Sequence, residues 1–348
     1  MKRRFWRHET DADIAALRLE HFSAVLETLL VFAVFYLIQQ LLATQNFFEQ
    51  ALAMPGTIGH LSTHLGWVVA SVLGLFGLPL FLRWFAGSWT LPDFGFRTRP
   101  GRRDVALAAY LGCLLGFWFA IGFALRPEAV QGARALLTVR DPVDAFVYVL
   151  YVAPFVAAVR GEFFYRGYVQ NLLMREYGIS WGTLLGLIFF CTSFFWIGWT
   201  HIAALLLPIG FGSAILFNRR RSVWGPFIYH ALTFALGFTA FALLELTRSG
   251  YTIFTALLGA GVFIWTFRMI VPLQVLWRDI KRFFNGLRSN WIRNGIIAVS
   301  YAGAVLLLWR TAHTNLQAHT IFTLVLAVVC IAYKIGQRYF QLRRVLEY

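Results

Sequence analysis

Charged side chains are scarce in this sequence: Asp, Glu, Lys and Arg together make up 14% of 348 residues. A soluble domain carries nearer a quarter, so the shortage argues against a water-solvated surface over most of the chain. Acids are scarcer than bases, 16 against 31, which leaves a formal net charge of +15. Only three cysteines occur, Cys113, Cys191 and Cys330, all inside apolar runs and far apart. That spacing supports neither a disulfide framework nor a zinc knuckle. Alternation of strand type, a repeat of fixed period and low-complexity stretches are all missing, and nothing marks off a soluble domain. The N-terminus, M-K-R-R-F-W-R-H-E-T-D, is basic but has no apolar stretch directly behind it, so no cleavable signal or lipid-attachment motif is expected.

What is abundant is apolar. Hydrophobic residues form 59% of the chain, Phe alone accounts for 35, and mean hydropathy is +0.64. Apolar runs of 17–25 residues are long enough to cross a bilayer. The candidate spans are Phe22 to Ala43, Leu65 to Phe85, Val105 to Leu125, Ala145 to about Val159, and Trp181 to Thr200. They continue with Ile202 to Phe217, Val223 to Leu246, Ile253 to Ile270, Gly295 to Leu308 and Ile321 to Tyr333. The expectation is an all-α, polytopic membrane bundle with about 8–10 transmembrane helices. Thirteen Trp suit the headgroup level, where ring and N–H are both satisfied.

Basic residues sort by connection, as the positive-inside rule expects. One set holds Arg97, Arg99, Arg102 and Arg103, then Arg166 and Arg175, then Arg219 to Arg221. It continues with Arg278, Lys281, Arg282, Arg288 and Arg293, and ends with Arg338, Arg343 and Arg344. The alternate connections are poor in Lys and Arg, so both termini are placed in the cytoplasm, across a membrane expected to be a bacterial inner or plasma membrane. The basic, aromatic stretch Arg278 to Asn294 reads as an amphipathic helix on the inner leaflet. The bilayer is therefore the expected partner, and nucleic acid is not: no basic run interleaves with stacking aromatics on a soluble segment.

Ionisable groups inside spans are costly, so each is a functional candidate. They are Glu27, Glu162 with Arg166, His201 and His230. Glu27 reads as a headgroup-level or paired acid. His60 and His64 share a helical spacing but lack a third ligand, and read as solvated. Glu162 and Arg166, in R-G-E-F-F-Y-R-G, stand at i, i+4 with the acid first, the favoured order for an ion pair. A Glu and two His from three segments could activate a water and hold an oxyanion, or could hold zinc with one open position.

These three segments resemble the CPBP intramembrane proteases, which include the type II CAAX prenyl endopeptidases. The family carries E-E-x-x-x-R-G, F-x-x-x-H and H-x-x-x-N in order. Here they stand as G161-E-F-F-Y-R166-G167, I197-G-W-T-H201 and H230-A-L-T-F234. The resemblance covers roughly Ala145 to Leu246 and implies a helical bundle that hydrolyses peptide bonds of membrane-associated substrates. It implies that the first glutamate of the pair activates water with the second motif's histidine, His201, while His230 and an asparagine stabilise the oxyanion. Two positions depart: Gly161 replaces that glutamate and Phe234 the asparagine. Glu162, His201 and His230 are then the candidate catalytic groups, Arg166 a structural ion-pair partner, and a divalent metal such as zinc an open question. Adjacent helix positions point about 100° apart, so Glu162 substitutes for the missing acid only if the helix is locally distorted. An inactive scaffold of the same fold is the alternative. A transporter is disfavoured, because no second half echoes the first. The chain divides into N-terminal helices (1–144), a motif-bearing core (145–246) and C-terminal helices with a basic segment (247–348).

Overall fold

The computed structural model describes residues 24–38, 77, 79–80, 90–96, 100–125, 156–192 and 207–346. Every regular element among them is helical. We number these α1 (Ala24–Ile38), α2 (Arg102–Leu125), α3 (Asn171–Thr192), α4 (Leu207–Arg220) and α5 (Trp224–Leu246). After them come α6 (Arg248–Leu287), α7 (Trp291–Thr314) and α8 (Leu316–Leu346). A π-helix, Val156–Gln170, runs directly into α3, and a 3₁₀ turn, Leu91–Phe94, precedes α2. An apolar solvent leaves backbone N–H and C=O groups no partners but each other, and helices satisfy them within one segment. Among the described residues, five helices are long and apolar enough to cross a membrane: Arg102–Leu125, Trp224–Leu246, Arg248–Leu287, Trp291–Ala312 and Leu316–Gln337. The protein is an all-α integral membrane protein. The candidate span Leu65 to Phe85, and His60 and His64, lie outside the described residues or almost wholly so.

The core gathers around the π-helix. Phe164, Tyr165 and Tyr168 are buried against α1, α3 and α7 through Phe32, Phe189 and Tyr301. Phe189 sits at the centre of this aromatic cluster, 4.7 Å from Phe32 and 5.5 Å from Tyr301 between ring centroids. Packed rings of this kind fix helix rotation, because shifting one moves all its neighbours.

Two expectations need correction. Arg166 was placed in a basic connection, but it is fully buried at 0% exposure, as is Glu162. The chain does not reverse there. It reverses at Gly178, whose φ of +79° and ψ of 169° are open to glycine almost alone. The two arms of this helical hairpin then pack closely, because Gly182 lies against the Met174 backbone and Gly186 against Gln170. The helical residues 163–177, π-helical as far as Gln170, therefore separate Glu162 from the turn. The second correction concerns Arg278 to Asn294, which is no separate surface helix. Residues 278–287 are the end of α6, a 40-residue helix that Pro272 does not interrupt. At about 60 Å it exceeds the roughly 30 Å hydrocarbon core, so its ends project beyond the apolar layer.

Charged ends of three helices meet. Arg219 at the end of α4 bonds Asp104 of α2 at 3.3 Å and Asp279 of α6 at 3.2 Å, and Arg220 bonds Asp104 at 2.8 Å. The start of α2, the end of α4 and the last turns of α6 thus lie together.

Candidate active site

The site begins with a distortion. In a π-helix the turn is wider than in an α-helix, so side-chain directions shift from the α-helical pattern, and such segments recur at functional sites. The distortion needed to bring Glu162 into play is present over Val156–Gln170. Glu162 Oε1 lies 2.8 Å from His230 Nδ1 on α5 and accepts a hydrogen bond of 2.8 Å from Ser213 Oγ on α4. All three side chains are buried.

Gly161 acquires a second meaning here. A β-carbon on it would lie 2.5 Å from His230 Cε1 and closer still to Nδ1. The imidazole therefore rests directly on the glycine, and any side chain at this position would displace it. The residue that replaces the motif's first glutamate is also the one that lets His230 reach the second. Phe234, one turn further along α5, stacks its ring on the imidazole at 4.9 Å and 26°. It supplies no hydrogen bond there and holds the ring by stacking.

Arg166 completes the pair without closing it. Its Nη2 donates to the Gly210 carbonyl at 2.8 Å and its Nη1 to Gln170 Oε1 at 3.3 Å. Its Nε stands 3.8 Å from Glu162 Oε2, an ion pair but not a hydrogen bond. Glu162 Oε2 and Arg166 Nε are both buried without a hydrogen-bond partner. The Phe190 ring covers the guanidinium at 5.1 Å and stands edge-on to His230 at 6.3 Å. Gln170 extends the polar row to Ala214 O at 3.2 Å and Asn218 Oδ1 at 3.0 Å.

The arginine-glycine step is explained by packing. Gly167 lies against the Phe94 carbonyl, where a β-carbon would not fit. The turn that carries Phe94 is tied down by Asn171, which donates to the Asp93 carbonyl, and by Arg175, which bonds Asp93 Oδ1 at 2.7 Å. The Thr90 N–H and hydroxyl both donate to Asp93, and with Arg175 they hold its carboxyl down at about 2.

Of the residues expected at the site, Glu162, Arg166, Gly161, Phe234 and His230 come together, and His201 lies outside the described residues. Ser213 and Phe190 were missed. The signal for Ser213 is the small-residue run G-F-G-S-A at 210–214, where Gly210 admits Phe190 and Gly212 admits Tyr229. Glu27 does have partners: Tyr168 donates to its Oε1 at 2.7 Å and Lys334 lies 3.4 Å from Oε2.

Of the candidate metal set Glu162, His201 and His230, only Glu162 and His230 are among the described residues. Glu162 and His230 point their ligating atoms at each other at hydrogen-bond distance, and no group of three His, Cys, Asp or Glu side chains clusters among the described residues.

A buried carboxylate–imidazole pair, inside a helical membrane bundle and facing a fixed arginine, defines a class: intramembrane proteins built around a polar site. Within that class, residues 143–236 match the family model "Rce1-like: Type II CAAX prenyl endopeptidase Rce1-like". The match spans all three motifs and bears out the resemblance they carry. No curated protein and no solved structure matches the chain.

Proposed function

We propose that this protein is an intramembrane endopeptidase that hydrolyses peptide bonds of membrane-associated proteins or peptides, with Glu162 as general base. The observation that carries this reading is the carboxylate itself. One oxygen is held by His230 and Ser213, and the other is buried with no hydrogen bond. A buried acceptor left unpaired costs about 1–3 kcal/mol, and a water donating to it removes that cost. Oε2 takes a proton from such a water as its oxygen bonds to the scissile carbonyl carbon. The carbonyl oxygen becomes an oxyanion, and the C–N bond breaks as the proton passes from Glu162 to the leaving amine. With His230 Nδ1–H directed at the carboxylate, Nε2 is the ring atom left to face the substrate. His201 assists water activation, as the family resemblance implies. Residues 145–246 form the catalytic unit, 1–144 and 247–348 flank it, and the convergent basic ends face the cytoplasm with both termini.

A second reading, a non-catalytic scaffold, is favoured by one contact: Phe234 stacks on the imidazole where the motif's asparagine would donate a hydrogen bond. Purified protein in proteoliposomes, given a membrane-tethered reporter peptide, separates the two. The endopeptidase cleaves, and His201→Ala, His230→Ala and Glu162→Gln each lose roughly 10²–10⁴-fold. Absence of cleavage with a panel of tethered peptides, in protein that keeps its thermal transition, supports the scaffold.

A further inference from the structure

A cavity of about 600 Å³ opens between α2, α4, α5 and α6. Its walls come from α2 (Leu111 to Ile121), α4 (Pro208 to Ile215), α5 (Tyr229) and α6 (Leu276, Ile280). Leu111 and Ile121 are ten residues apart on one helix, which makes the cavity about 15 Å long. Leu114 and Trp118, at 41% and 60% exposure, mark its open side toward the lipid-facing surface.

The chemistry of the walls selects the occupant. The lining is apolar, and the Tyr229 hydroxyl already donates to the Pro208 carbonyl at 2.9 Å. A peptide segment placed here would bring N–H and C=O groups that find no partner, at a cost of several kcal/mol each, whereas a hydrocarbon chain brings none. One end of the cavity differs from the rest. Ile280 follows Asp279, and Ile215 stands one turn before Arg219, so the charged cluster of Arg219, Asp104 and Asp279 lies beside that end. Arg219 Nε is buried there without a hydrogen-bond partner. Exposed Arg102, Arg103, Arg278 and Arg282 add to it, so cations outnumber the two acids. Anionic headgroups are drawn to such a rim.

We propose that this cavity is a binding site for one anionic phospholipid, with an acyl chain between α2, α4 and α6 and the headgroup phosphate against Arg219. Neither Glu162 nor His230 lines the cavity, and its occupancy does not depend on hydrolysis.

The test is lipid retention. Protein stripped of lipid in detergent is titrated with phosphatidylglycerol or phosphatidylcholine and read by native mass spectrometry, with thermal unfolding followed in parallel. One phosphatidylglycerol is expected to bind at least tenfold more tightly than phosphatidylcholine and to raise the unfolding temperature, while sodium phosphate at equal concentration does not. Leu114→Trp, which fills the open side, is expected to cut binding of both lipids at least tenfold. Ile121→Phe fills the deeper end and replaces it if the first variant fails to fold. Arg219→Gln is expected to remove the preference between headgroups while keeping chain binding. Equal binding of the two lipids by the wild type, or unchanged retention in a folded cavity-filled variant, overturns the proposal. Stabilisation by sodium phosphate equal to that by phosphatidylglycerol overturns the lipid assignment as well.

Discussion

Two buried carboxylates meet at the π-helix, Glu162 carried on it and Glu27 bound to it through Tyr168, and they are built differently. Glu27 on α1 has a partner for each oxygen, the Tyr168 hydroxyl on one and the Lys334 ammonium on the other. Glu162 has both of its hydrogen bonds on Oε1, while Oε2 faces an arginine nitrogen 3.8 Å away and bonds nothing. Both are acids in a membrane bundle, so cost alone does not tell them apart. The difference lies in what each is left able to do. Glu27 joins α1 to the π-helix and α8, whereas Glu162 keeps an oxygen that can accept a proton.

The largest expected effect follows from charge balance. Glu162→Leu leaves the Arg166 guanidinium buried without its counter-charge and is expected to cost about 3–5 kcal/mol. Glu27→Leu is expected to cost less, because Lys334, at 43% side-chain exposure, can turn to solvent. Thermal unfolding in one detergent measures both, and a larger loss for Glu27→Leu breaks the comparison. Next is Gly161→Ala, which drives a methyl group into the His230 ring and is expected to cost roughly 1–3 kcal/mol as overpacking. If it is neutral in stability and hydrolysis, the imidazole does not rest on Gly161 as described. Gly178→Ala follows. Space exists for a methyl group there, but the backbone angles do not suit it, so a loss of about 1 kcal/mol or more is expected.

The smallest effect concerns the strap over Gly167. Asp93 is held at about 2 in the folded protein, below the roughly 3.9 of an unfolded aspartate. Its contribution to stability is therefore complete above about 4 and is lost as the pH falls toward about 2. Asp93→Asn is expected to remove that acid-dependent component and to cost less than about 1 kcal/mol at neutral pH, as befits a partly exposed pair. An unchanged acid midpoint contradicts this role.

Much of this was legible from residue type. Apolar runs and loop charge indicate a helical membrane bundle, and convergence of Arg219 with Asp104 and Asp279 agrees with the grouping of basic segments. The ion pair of Glu162 and Arg166 and the departures at Gly161 and Phe234 were visible as motif positions. What the sequence hid is geometric. Hydropathy sees no difference between an arginine in a loop and one buried under Phe190, so Arg166 was misplaced until the turn at Gly178 was seen. The wide π-helical turn that directs Glu162 at His230 has no composition signature, and Ser213 looks like any small residue at a helix contact. The span Ile253 to Ile270 and the basic stretch after it read as two segments, whereas one helix runs through both with Pro272 inside it.

The central claim is that Glu162, and not merely a buried acid, drives hydrolysis. The most direct measurement compares Glu162→Gln with Glu27→Gln in proteoliposomes carrying the tethered reporter, each variant matched for folded fraction. Both changes remove a buried carboxylate and keep its shape. The account predicts that Glu162→Gln loses about 10²–10⁴-fold in cleavage rate while Glu27→Gln stays near the wild type. Equal rates for wild type and Glu162→Gln would contradict it.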